Sequence, residues 1–183
     1  MRFEILKDFQ FEQKVPQEVI QKYKDYIPEQ LLYVWEEYGF GSFMNGYLRV
    51  INPDEYQELI DEFYFDSHVS FPIFTTGMGD IIVWNEGRYI IVINYRKQDI
   101  EVIGATCNHF FDNLLEKEYL EDSFDGLKQY NKAVKKYGFP AYDECFGYVP
   151  LLGLGGAEKV ENLEKVKLIE HLQVIIHLLG PIE

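Results

Sequence analysis

The sequence predicts an α+β fold in which an antiparallel, or mixed, central sheet is flanked by helices. The first observation is a segment rich in β-branched and aromatic residues that short polar turns divide into three apolar runs. These runs lie at residues 81–84, 89–95 and 100–103, as expected for consecutive antiparallel strands. The second observation is that segments with helical spacing precede and follow this meander, so we expect helices to pack against the sheet.

The run at residues 89–95 is apolar on both of its faces. Strict alternation of apolar and polar residues is typical of a strand covered on one face, whereas a continuous apolar run indicates cover on both. We therefore expect this run to form a central strand of the sheet. Gly87, in the turn before it, tolerates the positive φ that tight hairpins require.

The N-terminal part of the chain predicts three helices. A proline suits the first turn of a helix, and prolines open these segments at Pro16, Pro28 and Pro53, the last one after the N-cap residue Asn52. Gly39 fits the left-handed position that ends the second helix. The other predicted elements are a short strand or arm at residues 1–14, a short strand at 47–51 and a loop at 66–70.

The C-terminal part predicts further helices and one or two late strands. Pro150 restricts the strand predicted at residues 146–154 to a bulged or edge position. Residues 160–166 are ambiguous between a strand and the entry to a helix. Helical spacing predicts the three helices of this part at residues 108–120, 122–137 and 168–179, the last one ended by Gly180 and Pro181.

The net charge of −14, from 31 acidic and 17 basic residues, is the strongest bulk feature of the composition. Such a surface repels nucleic acid and anionic membranes and speeds encounters with basic partners, although solubility alone also accounts for it. We find neither an apolar run of about 20 residues nor a signal peptide, and the two cysteines form no disulfide framework. We therefore expect a cytoplasmic protein with reduced thiols, whose regions 1–105 and 106–183 form one compact unit.

A search for reactive groups predicts no catalytic residue, no cofactor and no metal site. His171 and His177 are six residues apart, whereas paired metal ligands on a helix are three or four apart. Cys145 follows two acidic residues, which raise the pKa of a thiol and weaken it as a nucleophile.

The segment at residues 75–80 contains Gly77 and Gly79 and looks like a small glycine loop. It precedes a strand and lacks the lysine of a phosphate-binding loop, so we interpret it as a structural turn. Asp80 is expected to hold this turn through side-chain bonds to backbone N–H groups.

Two groups of acidic residues predict partner-binding surfaces. A solvated face is the simple interpretation, and a surface that meets a basic protein, with charge supplying the association rate, is the functional one. We expect charge reversal in the first group, at Asp54, Glu58 and Asp61, to slow association. The first group, on the exposed face of the third helix, is Asp54, Glu55, Glu58, Asp61 and Glu62, and the second is Glu116, Glu118, Glu121, Asp122 and Asp125.

Two parts of the chain resemble known families. The N-terminal part is similar to the GAD-like domain in the segments PEQLL at 28–32, YGFG at 38–41, NPDEY at 52–56 and FPIFTTGMGD at 71–80. The C-terminal part is similar to the C-terminal domain of type VI secretion DNase immunity proteins in ECFGYVP at 144–150, LGG at 154–156 and VENL at 160–163. The layout also resembles, more distantly, SUKH-type immunity proteins.

The resemblance implies a small cytoplasmic protein of bacterial polymorphic toxin systems that binds and neutralises a partner toxin, often a nuclease, without catalysis or a cofactor. The leading hypothesis is thus an immunity protein whose acidic surface masks the active or substrate-binding surface of a basic toxin, and which binds neither nucleic acid nor membrane. The alternative is a small-ligand-binding protein or enzyme that uses the loop from Thr75 to Asp80, with His109 or Cys107 as further polar groups. A third interpretation is a scaffold or regulatory domain unrelated to toxins.

Overall fold

A computed structural model describes residues 2–182, so that Met1, which starts the predicted N-terminal arm, and Glu183 lie outside the described residues. The helices are α1 (Gln17–Tyr23), α2 (Glu29–Glu37), α3 (Pro53–Phe63), α4 (Phe110–Asn113), α5 (Lys117–Ser123), α6 (Leu127–Tyr137) and α7 (Leu168–Leu179). The strands are β1 (Gln10–Gln13), β2 (Phe40–Phe43), β3 (Leu48–Val50), β4 (Ser70–Thr76), β5 (Ile81–Asn85), β6 (Tyr89–Asn94), β7 (Asp99–Gly104), β8 (Glu144–Tyr148) and β9 (Leu163–Lys167). Short 3-10 helices lie at Glu4–Asp8, Ser67–Val69, Leu152–Leu154 and Val160–Asn162.

Strands β1 to β7 form one antiparallel sheet whose order in space equals the order along the chain. Its last three strands are the predicted meander, and four more strands extend it on the N-terminal side. Glu86 and Gly87 both have positive φ in the turn between β5 and β6, as a tight hairpin requires. Strands β8 and β9 form a separate antiparallel pair. The predicted α+β class with an antiparallel sheet is confirmed.

The sheet is covered on both faces, and alternation along each strand decides which face a side chain joins. On the first face, residues such as Leu48, Phe74 and Ile82 share a core with buried residues of α1, α2 and α4. On the second face, residues such as Ile81 and Ile93 pack with residues of α3 and α7. Strand β6 lies between β5 and β7 and is buried along nearly its whole length, as the sequence predicts.

Local signals set several helix ends as predicted. The Asn52 side chain accepts a hydrogen bond from the backbone N–H of Asp54 at 3.1 Å and caps α3, with Pro53 in the first turn. Gly39 follows α2 with a φ of 81°, and its N–H donates to the carbonyl oxygen of Val34 at 3.1 Å.

Tertiary packing changes two of the predicted helices. The helix predicted at residues 108–120 is divided into α4 and α5, because the chain turns at Leu114 and buries that side chain in the core. The helix predicted at residues 122–137 begins only with α6, because Phe124 packs edge-on against the ring of Tyr47 and leaves the helical path.

Several strands also differ from their predictions. Strand β8 ends before Pro150, which has no N–H for a sheet ladder, and a 3-10 helix replaces the rest of the strand predicted at 146–154. The ambiguous segment at 160–166 becomes a 3-10 turn followed by β9. Strand β4 begins inside the predicted loop at 66–70. Strand β1 lies within the short strand or arm predicted at residues 1–14. Strand β2 was not predicted, because its four residues include Gly41 and lack a clear apolar alternation.

The turn between β4 and β5 connects the meander to the C-terminal part of the chain. The N–H of Gly77 donates to the carbonyl oxygen of Tyr47 at 2.7 Å, and the carbonyl of Gly77 accepts from the N–H of Phe146 at 2.8 Å. A Cβ at Gly77 would lie 2.2 Å from a ring carbon of Tyr130. Only glycine therefore lets the Tyr130 ring of α6 approach the turn this closely.

We propose that residues 1–105 and 106–183 unfold as one unit because this turn holds them together. The variant Gly77→Ala displaces the Tyr130 ring and is expected to lower the free energy of unfolding by about 1–3 kcal/mol, still in a single transition. Urea denaturation followed by fluorescence and by circular dichroism measures both. Gly104→Ala is the matched control, because its Cβ meets only ordinary contacts from 3.4 Å outwards. Two separate transitions would contradict the proposal.

Candidate partner-binding surfaces

The first predicted acidic group lies on the exposed face of α3, but one of its members, Asp54, makes contacts that stabilise the fold. Its carboxylate forms an ion pair with Lys22 of α1 and accepts the Tyr23 hydroxyl at 2.5 Å. Burial raises the pKa of Asp54, but the hydrogen bonds from Lys22 and Tyr23 lower it by more. Asp54 therefore fastens α1 to α3. The remaining members of the group are exposed: Glu55, Glu58, Asp61 and Glu62.

The second predicted acidic group lies on and around α5. Glu116 occupies the N-cap position of the helix, without a side-chain capping bond, and Glu121 pairs with Lys117 and Lys128 at 3.8 and 3.3 Å. Asp125 follows the helix and forms ion pairs with Arg96 and Lys97. Glu118 and Asp122 are exposed, and no cation of residues 2–182 lies within 4 Å of either.

Two acidic residues that the sequence analysis missed, Asp99 and Glu101 of β7, join this second group. We call Asp99, Glu101, Asp122 and Asp125 the acidic groove. Part of it lines a cavity of about 60 Å³ between β7 and the end of α5. Burial raises the pKa of Glu101, and so do the charges of Asp99, Asp125 and Asp122. Like charges thus repel one another here without full compensation.

A signal for these two residues was present in the sequence. Positions 99 and 101 are two apart in a strand, and a period of two places both side chains on one face. Helical spacing, which defines the two predicted acidic groups, does not detect a pair of this kind. Their proximity to Asp122 and Asp125 depends on tertiary packing, which no local pattern reveals.

The two predicted acidic groups do not come together in the structure. Helix α5 lies against the first face of the sheet, where the Tyr119 hydroxyl donates to the carbonyl oxygen of Ile103 in β7 at 2.9 Å. Helix α3 packs on the second face, beside α7. The groups are therefore two separate candidate surfaces.

The turn at residues 76–80 is held by a buried charge network. The Asp80 carboxylate, 2% exposed, accepts the Thr76 hydroxyl at 2.7 Å and pairs with Arg96, which also pairs with Asp125. Burial raises the pKa of Asp80, and Arg96 opposes this shift. Burial lowers the pKa of Arg96, but the two carboxylates raise it by more, so the guanidinium stays charged.

The network differs from the expectation that Asp80 bonds to backbone N–H groups. The Thr76 hydroxyl oxygen accepts from the N–H groups of Met78 and Asp80, at 3.2 and 3.1 Å. The Asp80 carboxylate instead binds the Thr76 hydroxyl and Arg96, because a buried carboxylate gains most from a charged partner. Gly79 sits where a Cβ would lie 3.3 Å from the Cys145 sulfur.

The alternative function, a ligand site on the loop from Thr75 to Asp80, finds little space. All six residues of the loop are buried. The cavities that border it, at Met78 and at Asp80, have volumes of about 10 and 60 Å³. Small-molecule sites usually have several hundred Å³. The geometry thus favours the structural interpretation of this loop.

The other candidate groups for catalysis or metal binding are two thiols and two histidines. Burial raises the pKa of both thiols, Cys107 and Cys145, to about 12, which keeps them protonated at neutral pH. Burial lowers the pKa of His171. His109 is exposed. Among residues 2–182, no group of three or more His, Cys, Asp or Glu side chains is arranged to hold a metal ion.

Two protein-family models match the chain. Residues 3–97 match the model of the GAD-like domain, and residues 105–178 match the model described as T6SS immunity protein Tdi1, C-terminal. The two matches confirm the resemblance seen in the sequence. No curated protein sequence matches the chain.

Among solved structures, the chain is similar to the crystal structure of Atu4351 from Agrobacterium tumefaciens. The TM-score is 0.72, the sequence identity is 18%, and the match covers 93% of this chain and 86% of that one. This likeness concerns the fold. Every helix within residues 2–182 is too short or too polar to cross a bilayer.

The ion pairs of Asp125 predict a pH-dependent contribution to stability. Burial raises the pKa of Asp125, but Arg96 and Lys97 lower it by more, to below its usual value. Its stabilising effect is therefore present above the unfolded-state pKa of about 3.9 and is lost as the pH falls through the lower folded-state pKa. Because the side chain is 43% exposed, we expect Asp125→Asn to cost only about 1–2 kcal/mol at pH 7.

Urea denaturation between pH 7 and pH 3 measures this effect. The difference in stability between the native protein and Asp125→Asn should shrink as the pH falls below about 4. Asp122→Asn is the control, because Asp122 has no cation within 4 Å in the described chain, and it should cost little at any pH. A constant difference for Asp125→Asn down to pH 3 would show that its charge does not matter for stability.

Proposed function

The chain belongs to the GAD-like domain family, and from this premise we propose that it is an immunity protein of a type VI secretion system that binds and neutralises a cognate toxin. The observation that carries the proposal is the match of residues 105–178 to the immunity protein family. This family supports an immunity role. The class of the toxin and the surface that binds it are two further proposals.

We propose that the acidic groove is the surface that meets the toxin. Its four carboxylates come from β7 and from the end of α5. Burial raises the pKa of Glu101, and the repulsion from the other three carboxylates raises it further. A basic partner would relieve that repulsion, so binding gains electrostatic energy at this place. The acidic face of α3 is the second candidate. Each surface has one carboxylate paired with a cation, Asp54 on α3 and Asp125 in the groove, so the uncompensated Glu101 is what favours the groove.

The toxin that fits this surface is basic, and a nuclease is the proposed class. A nuclease needs cationic side chains to hold phosphates, and an acidic protein competes for those side chains. We propose that DNA is the substrate of the toxin, that inhibition takes place in the cytoplasm, and that the protein binds neither nucleic acid nor membrane itself.

We further propose that neutralisation works by binding alone. An immunity protein needs only to mask the active or substrate-binding surface of the toxin. The protonated state of both thiols and the small cavities at the 75–80 loop support an inhibitor without a reacting group.

Two charge-reversal variants test the proposed surface against its rival. Glu101→Lys with Asp122→Lys changes the groove, and Glu58→Lys with Asp61→Lys changes the α3 face by the same total charge. The partner for this measurement is the toxin that a pull-down from the native host recovers with this protein. We expect the groove variant to associate at least about tenfold more slowly at low salt, with a weaker dependence on salt, and the α3 variant to change the rate only about two- to threefold.

Co-expression with the toxin gives the biological measurement for the same two variants. Cells that produce the toxin should survive with the native protein and with the α3 variant, and should lose protection with the groove variant. The reverse order would move the interface to α3. Death at the same rate with and without the native protein would overturn the immunity function itself.

A further inference from the structure

The second face of the sheet is not covered over its whole width. Helices α3 and α7 cover β4, β5 and β6, whereas the loop after α6 closes only part of the end at β1, β2 and β3. The space left there is a pocket of about 380 Å³. That volume lies in the range of small-molecule sites. We call it the Arg49 pocket, and its lining includes Asp8, Glu12, Ser42, Arg49, Phe139 and Tyr142.

Arg49 of β3 is an unusual residue for a sheet interior. Its side chain is 1% exposed, and one guanidinium nitrogen donates to the carbonyl oxygen of Thr76 at 3.1 Å. Within residues 2–182, no carboxylate oxygen lies within 4 Å of this guanidinium, although Arg96 at the neighbouring turn has two such partners. A guanidinium has five N–H donors, so most of its binding capacity remains free.

The surroundings of Arg49 do not compensate its charge. The ionisable groups that act on it most are Tyr130, Cys145, Tyr56 and Tyr142. All four are neutral at pH 7, because burial raises their pKa values far above neutrality. Burying a cation without a counter-charge is costly, and burial accordingly lowers the pKa of Arg49. A bound anion would supply the counter-charge that the protein does not provide.

Two carboxylates, those of Asp8 and Glu12, also line the pocket. The Asp8 carboxylate accepts the N–H groups of Met44 and Asn45 at 3.2 and 2.8 Å, which fixes its position, and Glu12 is exposed on β1. A purely anionic ligand would be attracted by Arg49 and repelled by these two carboxylates. A ligand with a cationic group at its other end would satisfy both. Phe139, 60% exposed, provides an apolar wall.

We propose that the Arg49 pocket binds a small zwitterion, with its carboxylate on the Arg49 guanidinium and its ammonium group beside Asp8 and Glu12. Free amino acids and related amino carboxylates are the chemical class that fits. This site is on the second face of the sheet, whereas the acidic groove involves the first face and β7, so the proposal does not rest on the proposed toxin-binding surface.

A set of ω-amino acids measures the distance between the two charged ends of the pocket. Glycine, 3-aminopropanoate, 4-aminobutanoate and 6-aminohexanoate are titrated into the 15N-labelled protein at constant ionic strength, and backbone amide shifts are followed at Ser42, Arg49 and Tyr142. Hexanoate and hexylamine are controls that carry only one of the two charges. We expect one chain length to bind at least tenfold more tightly than either control.

Two variants distinguish binding in the pocket from binding elsewhere. Arg49→Met should reduce the affinity for the preferred zwitterion at least tenfold. Because this variant also loses the bond to Thr76, Ser42→Phe serves as a second variant that fills the pocket and keeps Arg49, and it should abolish binding as well. Lys132→Met, on the exposed surface of α6, is the control that should bind normally. Equal binding of hexanoate, unchanged binding to Ser42→Phe, or no amide shifts with any of the four zwitterions would overturn the proposal.

Discussion

The structure depends on the buried turn between β4 and β5 and on the charge network that fixes it. Asp80 and Arg96 are both almost fully buried, and Asp125 joins them from the end of α5. Because separating these buried charges from their partners would be costly, the turn, the segment after β6 and the segment before α6 must keep their relative positions. The close contact of Gly77 with Tyr130 adds a steric condition to the electrostatic one. The sheet and the C-terminal elements are therefore held in a fixed relative position at this turn, in addition to their packing in the two cores.

This arrangement also decides where the negative charge of the surface is compensated and where it is not. Asp54 and Asp125 are both paired with cations, so they serve the fold as well as the surface. Glu101 has no such partner among the described residues, and burial together with the neighbouring carboxylates raises its pKa. A net charge of −14 therefore does not act evenly over the molecule. The groove between β7 and α5 is where a basic partner would gain most. The family match of residues 105–178 supports a toxin as the partner.

The elements with strong local signals could be predicted from the sequence, and those that depend on distant residues could not. The apolar runs of β5, β6 and β7 and the N-cap at Asn52 are local features, and the structure confirms them. The division between α4 and α5 has no local signal, because burial of Leu114 in the core of the fold causes it. The same limit applies to the sites. Asp122 and Asp125 of the acidic groove belong to a cluster that the sequence shows. The proximity of Asp99 and Glu101 to them, and the burial of Arg49, depend on how the sheet packs.

The most direct test of the toxin-binding account is hydrogen–deuterium exchange of the protein with and without the toxin that a pull-down from the native host recovers. Exchange reports which backbone amides become protected when a partner covers them. The account predicts new protection in β7 and α5, with α3 unchanged, and the protection should weaken as salt is raised. Protection confined to α3, or none at a toxin concentration that saturates binding, would contradict it.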